Sequence, residues 1–253
     1  MIKTKQFDYP TSTRAMIDGK RVYSINGEAL PSVTTILQAT ETEEKKAILD
    51  AWKKRVGAEN ADKIRDTAAA RGSILHRIVE NYITDTKHLD LTDMGQHAHK
   101  MADILIESAI DSRLSEVWGV EPYLAYQGLF AGQTDLIGIH DGKITVCDHK
   151  NANKPKQKEW LHDSYRIQLA AYALAFEDMF GEHIPRGINF IVTKNLRYQE
   201  FSWDGQEFRT AKYGSTPHTS FKRPSMALSM RISAILWACC PISVKSRCFV
   251  SVI

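Results

Sequence analysis

Two apolar runs meet at Asp141-Gly142, and each carries charge where the core of a strand should carry none. The first is Gly132–His140, with Asp135 set just before Leu136, Ile137, Gly138 and Ile139. The second is Lys143–Lys150, which ends in Val146-Cys147-Asp148-His149-Lys150. Asp-Gly between two such runs is a strong hairpin signal, because both turn residues tolerate positive φ. Strand side chains alternate faces, so Asp148 and Lys150 share one face while His149 takes the other, away from that pair. Pairing through the turn brings Asp135 close to the pair. Two carboxylates and an ammonium beside a sheet are costly to bury unless partners or a ligand match them.

The rest of the chain supplies helices to pack on such a sheet. Tyr23 to Gln38 reads as a short strand, a turn at Asn26-Gly27, and a helix for which Ser32 suits the N-cap, although the run Val33-Thr34-Thr35-Ile36 is β-branched. Glu43 to Lys54 reads as a charged amphipathic helix. Glu59 to Thr84 is helical, with Gly72 marking a possible join between two helices. Met94 to Val117 is a further helix by its apolar spacing. Strands are then expected at Glu121–Tyr126, Gly132–His140 and Lys143–Lys150. A helix over Lys158–Phe180 follows, closed by Gly181, and strands at Gly187–Thr193 and Tyr198–Trp203 end the pattern. The expected fold is mixed α/β, a central mixed sheet flanked by helices with a helical N-terminal portion.

Composition sets the outer limits. The 253 residues, 43% hydrophobic and 25% charged, suit a sizeable buried core and exclude fibrous and wholly disordered chains. No run approaches the ~18 apolar residues of a membrane span, and the N-terminus has no apolar signal core. No membrane partner is therefore expected, and the cytoplasm of a bacterial or phage-infected cell is the expected location. The net charge of +3 is unevenly spread: 208–253 contains seven Lys or Arg and no acid, which leaves residues 1–207 with 26 basic and 30 acidic side chains. We expect one domain over 1–207, helical over 30–117 with a sheet core over 118–207. The basic stretch 208–253 reads either as a nucleic-acid-binding arm or as a weakly structured or altered terminus.

Two nearby carboxylates form a hard, oxygen-rich site for Mg²⁺ or Mn²⁺. Such an ion acidifies water and neutralises charge on a phosphate, while a neighbouring lysine stabilises the transition state. Phosphodiester hydrolysis needs this set. The sequence here resembles the PD-(D/E)XK nuclease superfamily, in the form Gly132-x-x-Asp135 followed by Asp148-His149-Lys150. Arg71-Gly72-Ser73-Ile74-Leu75-His76 with Glu80 resembles the upstream histidine motif of the RecB-like branch, and Gln168-x-x-x-Tyr172 resembles that branch's helix after the catalytic strand. Leu30-Pro31-Ser32-Val33-Thr34-Thr35-Ile36-Leu37 and Asp148-x-Lys150-x5-Lys156 are similar to phage-type exonucleases related to a mitochondrial genome maintenance exonuclease.

The resemblance implies a metal-dependent DNA exonuclease built on a restriction-endonuclease-like core. Asp135, Asp148 and the backbone carbonyl of His149 would hold the ion, with His76 completing the set and Lys150 as the catalytic lysine. Gln168 and Tyr172 would position Lys150 or the phosphate, and Glu121 would serve a metal-bound water or the surroundings. Thr134 stands where the family's name has proline, and the second acid is Asp148 rather than Glu. Glu80 would bond the His76 ring or face solvent. Arg71, Lys154, Lys156 and Arg166 are candidate DNA contacts; Lys154, Lys156 and Lys158 together either track a phosphate backbone or form a solvated charge run. Trp52, Trp160 and Tyr165 suit base stacking or simple packing. The implied partner is DNA with a free end, taken as single-stranded; protein partners are not legible. Alternatives are an endonuclease on the same fold or a non-catalytic DNA-end-binding module. Some RecB-like nucleases hold an iron–sulfur cluster, but Cys147, Cys239, Cys240 and Cys248 lack suitable spacing, so none is expected.

Overall fold

The computed structural model describes residues 2–86 and 90–213. The chain opens with the short strand β1 (Lys3–Thr4) and an antiparallel meander of β2 (Thr13–Ile17), β3 (Lys20–Ile25) and β4 (Glu28–Pro31). The β3–β4 turn is Asn26-Gly27, both at positive φ. Helix α1 (Val33–Ala39) follows, and the hydroxyl of its N-cap Ser32 accepts the Thr35 N–H at 3.0 Å. Next come α2 (Glu43–Val56), α3 (Ala58–Ile83) and α4 (Asp93–Leu105), the last passing into a single π turn over Ile106–Ile110. The central stretch is β5 (Leu114–Val120), β6 (Tyr123–Tyr126), β7 (Phe130–Gln133), β8 (Leu136–His140) and β9 (Lys143–Ala152). A 3₁₀ turn (Lys158–Leu161) and a π turn (His162–Arg166) lead into α5 (Ile167–Phe180), then β10 (Arg186–Thr193), β11 (Tyr198–Trp203) and α6 (Gly205–Tyr213).

The main sheet runs β1-β5-β8-β9-β10-β11. The β1·β5 and β9·β10 pairs are parallel and the others antiparallel, so the sheet is mixed. Strands β9 and β10 are parallel neighbours with α5 as the crossover between them. One face packs on α3 and α4 through Leu75, Val79, Met101 and Leu105 against Leu136, Cys147 and Phe190. The other packs on α5 and α6 through Leu169, Phe176 and Phe208 against Val146, Ile191 and Trp203. Each fully buried Leu or Phe in these layers contributes roughly 1.5–3 kcal/mol. The result is the expected mixed α/β architecture, a restriction-endonuclease-like core.

Several expected elements are redrawn. The helix expected to Val117 stops at Ile110, and Leu114–Val120 is a strand between β1 and β8. Leu114, Val117 and Trp118 are buried there, so sheet pairing overrides helical spacing. The strand expected over Gly132–His140 is two strands broken at Thr134-Asp135; β7 pairs with β6 in a separate ribbon and β8 joins the main sheet. Glu121 lies before β6, in a bend rather than in a strand. Helix α3 runs through Gly72 without a join. Helix α2 buries none of its residues, and Ile48 and Leu49 on it are exposed. The β2–β4 meander and β1 precede the helices, where only one short strand was expected. Helix α6 runs past residue 207, with Phe208 and Ala211 buried. No helix of the described residues is long and apolar enough to cross a membrane.

Candidate active site

The β8–β9 turn is Asp141-Gly142, with φ of 47° and 72°, and it closes the register His140↔Lys143 to Leu136↔Cys147. The next step of that register sets Asp135 against Asp148. Instead of continuing the ladder, the chain bends at Asp135, and its Oδ2 accepts the His149 N–H at 2.5 Å. A side-chain carboxylate thus takes the bond that a strand carbonyl would have made. The bend is fastened from behind: Glu121 N–H donates to the Asp135 carbonyl at 3.0 Å, and Gln133 Nε2 donates to the Glu121 carbonyl at 3.1 Å. Glu121 adopts a left-handed conformation, φ 50°. For a residue with a Cβ that geometry costs about 1–3 kcal/mol, and here it turns the Glu121 carboxylate toward Asp135.

Helix α3 brings the third group. His76 Nδ1 lies 3.4 Å from Asp135 Oδ1 and 3.9 Å from Glu121 Oε1. One ligand atom each from His76, Glu121 and Asp135 falls within 4.8 Å of the others. An imidazole and two carboxylates suit a hard or borderline divalent ion. The electrostatics already favour a cation there. Burial alone would lower His76, but the Asp135 carboxylate and then Glu121 outweigh it and hold the ring at about 10. Burial likewise pushes Asp135 up, yet His76 and the nearby Lys150 hold it below the usual carboxylate range. Glu121 is raised by burial and by repulsion from Asp135 and Glu80, against its bond to His76. Glu80, one turn along α3, therefore acts on this corner by charge, while the contacts of His76 Nδ1 go to Asp135 and Glu121.

Asp148 and Lys150 form the second half of the site. Lys150 Nζ donates to Asp148 Oδ1 at 2.6 Å, and the Asp148 side chain is only 2% exposed. Gln168 Nε2 approaches the same oxygen at 3.4 Å and the Tyr172 hydroxyl at 3.1 Å. Asn189, the β10 neighbour of Asp148, donates from Nδ2 to Oδ2 at 2.8 Å. Burial raises Asp148 more than Lys150 lowers it. Burial would lower Lys150, but the Asp148 and Asp135 carboxylates hold the ammonium well above its ordinary value. Tyr172 has room because residue 132 is glycine: a Cβ there would come within 2.5 Å of its ring.

The remaining candidates separate. Alternation puts the His149 ring opposite Asp148 and Lys150, but not away from the site: it lies 6.1 Å from the His76 ring and stacks on Phe190. Burial lowers it to about 4, so it is neutral. Arg71 is buried and turned along the end of β9, donating to Asn151 Oδ1 and Asn153 Oδ1, each at 2.9 Å. Lys154 is exposed, while Lys156 pairs through its backbone with the Gln199 amide. Lys158 pairs with Glu207 at 3.0 Å, and Arg166 donates to the Glu207 carbonyl. Trp160 is exposed, and Tyr165 lies over Lys150 with its centroid 5.4 Å from Nζ. Cys147 is buried, its thiol pushed up by burial. Cys239, Cys240 and Cys248 lie outside the described residues, as does 214–253.

Sequence reasoning missed Asn189. Its signal was the one that flagged Asp135, a lone polar residue in the apolar run Ile188-Asn189-Phe190-Ile191. The resemblance gives Glu121 to a metal-bound water or the surroundings; in the structure its carboxylate lies close enough to His76 and Asp135 to offer a ligand atom itself.

Three curated proteins resemble this chain. The mouse protein mitochondrial genome maintenance exonuclease 1 is 27% identical over 154 residues, covering 57% of this chain and 43% of that protein. The human protein of the same name is 26% identical over 173 residues, covering 66% and 50%. That of Xenopus tropicalis is 26% identical over 187 residues, covering 69% and 51%. The chain spans about half the length of the curated relatives it matches. Residues 51–223, which hold His76, Asp135, Asp148, Lys150 and Gln168, match the sequence pattern of the PD-(D/E)XK nucleases, and the chain belongs to the PD-(D/E)XK nuclease superfamily.

Proposed function

We infer that this chain is a divalent-metal-dependent deoxyribonuclease that hydrolyses phosphodiester bonds from a free, single-stranded DNA end. Recombination, repair or phage genome processing, in the cytoplasm of a bacterial or phage-infected cell, is the setting it suits. The observation that carries this reading is the convergence, where β8 begins, of the His76–Glu121–Asp135 triangle with the Lys150–Asp148 pair. The exonuclease relatives support an end-directed activity rather than internal cutting.

Mg²⁺ or Mn²⁺ held by His76, Glu121 and Asp135 would supply charge neutralisation at the phosphate and a more acidic water. The protein's own groups do the rest. The Asp148 and Asp135 carboxylates hold the Lys150 ammonium above its ordinary value, and it presents N–H donors where phosphate charge grows. Asp148 aims Lys150, and Asn189 and Gln168 stop Asp148 from swinging. The neutral His149 keeps its backbone N–H on Asp135, which fixes one oxygen of that carboxylate and leaves the other facing His76.

The test is digestion of one linear single-stranded DNA and its circular counterpart, each with Mg²⁺, Mn²⁺ or EDTA. Loss of the linear strand alone, blocked by EDTA, is the expected result. Cutting of the circle points instead to an endonuclease on the same fold. No cutting of single-stranded or duplex DNA under any condition leaves a DNA-end-binding module.

A further inference from the structure

A cleft of about 150 Å³ opens beside the catalytic strand, between α1–α2 and the start of α5. One wall is the ring of Tyr165, whose face lies over the Lys150 ammonium, and Gln168, which touches Asp148, lies beside it. The opposite wall is Thr34, Leu37 and Gln38 of α1 with Lys45 of α2. The cleft and the Lys150–Asp148 pair therefore share two side chains. Helix α2 buries no residue of its own, so core packing does not account for its place across this opening. An aromatic face, an aliphatic side chain opposite it, and amide and hydroxyl groups around them are the surroundings of a planar heterocycle with polar edges.

We propose that this cleft takes one nucleobase of the substrate strand, that of the nucleotide adjoining the scissile phosphate. The base stacks on Tyr165, its edge meets Gln38, Thr34 and Gln168, and its phosphate is drawn to Lys150. A single base stacked on Tyr165 would register the strand by one nucleotide. Stacking accepts any base, since every base has a π-face, so the cleft positions without selecting sequence. This deepens the nuclease reading above and rests on it.

The test is a lesion scan on the full chain with Mn²⁺ and linear single-stranded DNA. A single abasic position is moved along the strand one nucleotide at a time, and the rate of each successive cleavage is followed. Cleavage is expected to slow about tenfold at one fixed offset from the lesion, the scale of one lost base–aromatic stack. Gln38→Trp, an exposed substitution that covers the cleft, is expected to slow cleavage of intact DNA comparably and to erase the difference at that offset, without lowering the melting temperature. Even cleavage through every lesion overturns the cleft assignment and leaves the nuclease reading standing. A lesion effect that survives Gln38→Trp unchanged overturns it also. Absence of cleavage on intact DNA overturns the nuclease reading, and the cleft assignment with it.

Discussion

Lys150 is the residue whose role separates most cleanly from its contribution to stability. Lys150→Met removes the donor offered to phosphate, and cleavage is expected to fall about 10²–10³-fold, on the scale of losing one preorganised electrostatic donor. The fold should survive, because Asp148 keeps Asn189 at 2.8 Å and Gln168 at 3.4 Å. The variant should nonetheless acquire a pH signature. Burial already raises Asp148, and Lys150 is the largest influence opposing that rise. Without it, the folded-state pKa climbs further above the unfolded value of about 4. An acid raised in the folded state binds more protons folded than unfolded, so stability is full at low pH and falls as pH rises through that window. Thermal melts at pH 5 and pH 8 should show the gap between wild type and variant widening at the higher pH; a gap that stays constant would mean Asp148 does not carry a buried charge. At this scale the sequence was most legible where charge interrupts an apolar run, as at Asp135 and Asp148. Asn189 carried the same signal without a charge, and only the register Asn189↔Asp148 gives it meaning.

At the scale of elements, helix α3 and strand β9 are joined at Gly72. A Cβ there would fall 2.5 Å from Asn151 Nδ2, an atom held by donation to the Ala68 carbonyl at 3.2 Å. The Asn151 oxygen accepts from Arg71, so one side chain binds α3 to the strand end one residue beyond Lys150. Glycine in mid-helix is normally worth about 1 kcal/mol less than alanine, and Gly72→Ala should reverse that expectation. We expect it to destabilise by about 1–2 kcal/mol, the scale of two disrupted hydrogen bonds less the helix gain. Adding Asn151→Ser to make room should then restore part of the loss, and denaturant unfolding of both single variants and the double measures the coupling. Additivity of the two substitutions would show that the contact is not tight. The glycine was visible in the sequence but pointed to a helix join, because the reason for it lies 79 residues away in β9. Likewise β5 spelled a helix continuation until its pairing partners were known, and the break at Thr134-Asp135 was hidden because apolar residues continue on both sides of it. Local pattern identifies an element; long-range pairing decides where it stops.

At the scale of the whole molecule, the question is where the folded unit ends. Helix α6 caps the α5 side of the sheet, and its Phe208 is fully buried against Gly187, where even a Cβ would lie 2.8 Å from the ring. A chain ending at Glu207 therefore loses a core aromatic, a change of about 3–5 kcal/mol in a total stability of roughly 5–15 kcal/mol. A chain ending at Tyr213 keeps that contact. We expect the 1–213 chain to melt with the full chain and to cleave as well, and the 1–207 chain to melt roughly 10 °C lower. The comparison also decides between the two sequence readings of the basic stretch. Residues 214–253 carry five Lys or Arg and no acid. Were they an arm on the phosphates, their removal would reduce the slope of log affinity against log salt by roughly 3 for single-stranded DNA. Were they an altered or weakly structured terminus, the slope would not move. The proposed catalytic groups lie in the acidic part of the chain, on α3 and at the β8–β9 pair, and Lys150 is held there by its neighbours rather than by a basic surround. We therefore expect an unchanged slope; a loss of about 3 in the 1–213 chain would instead make the terminus part of the DNA-binding surface.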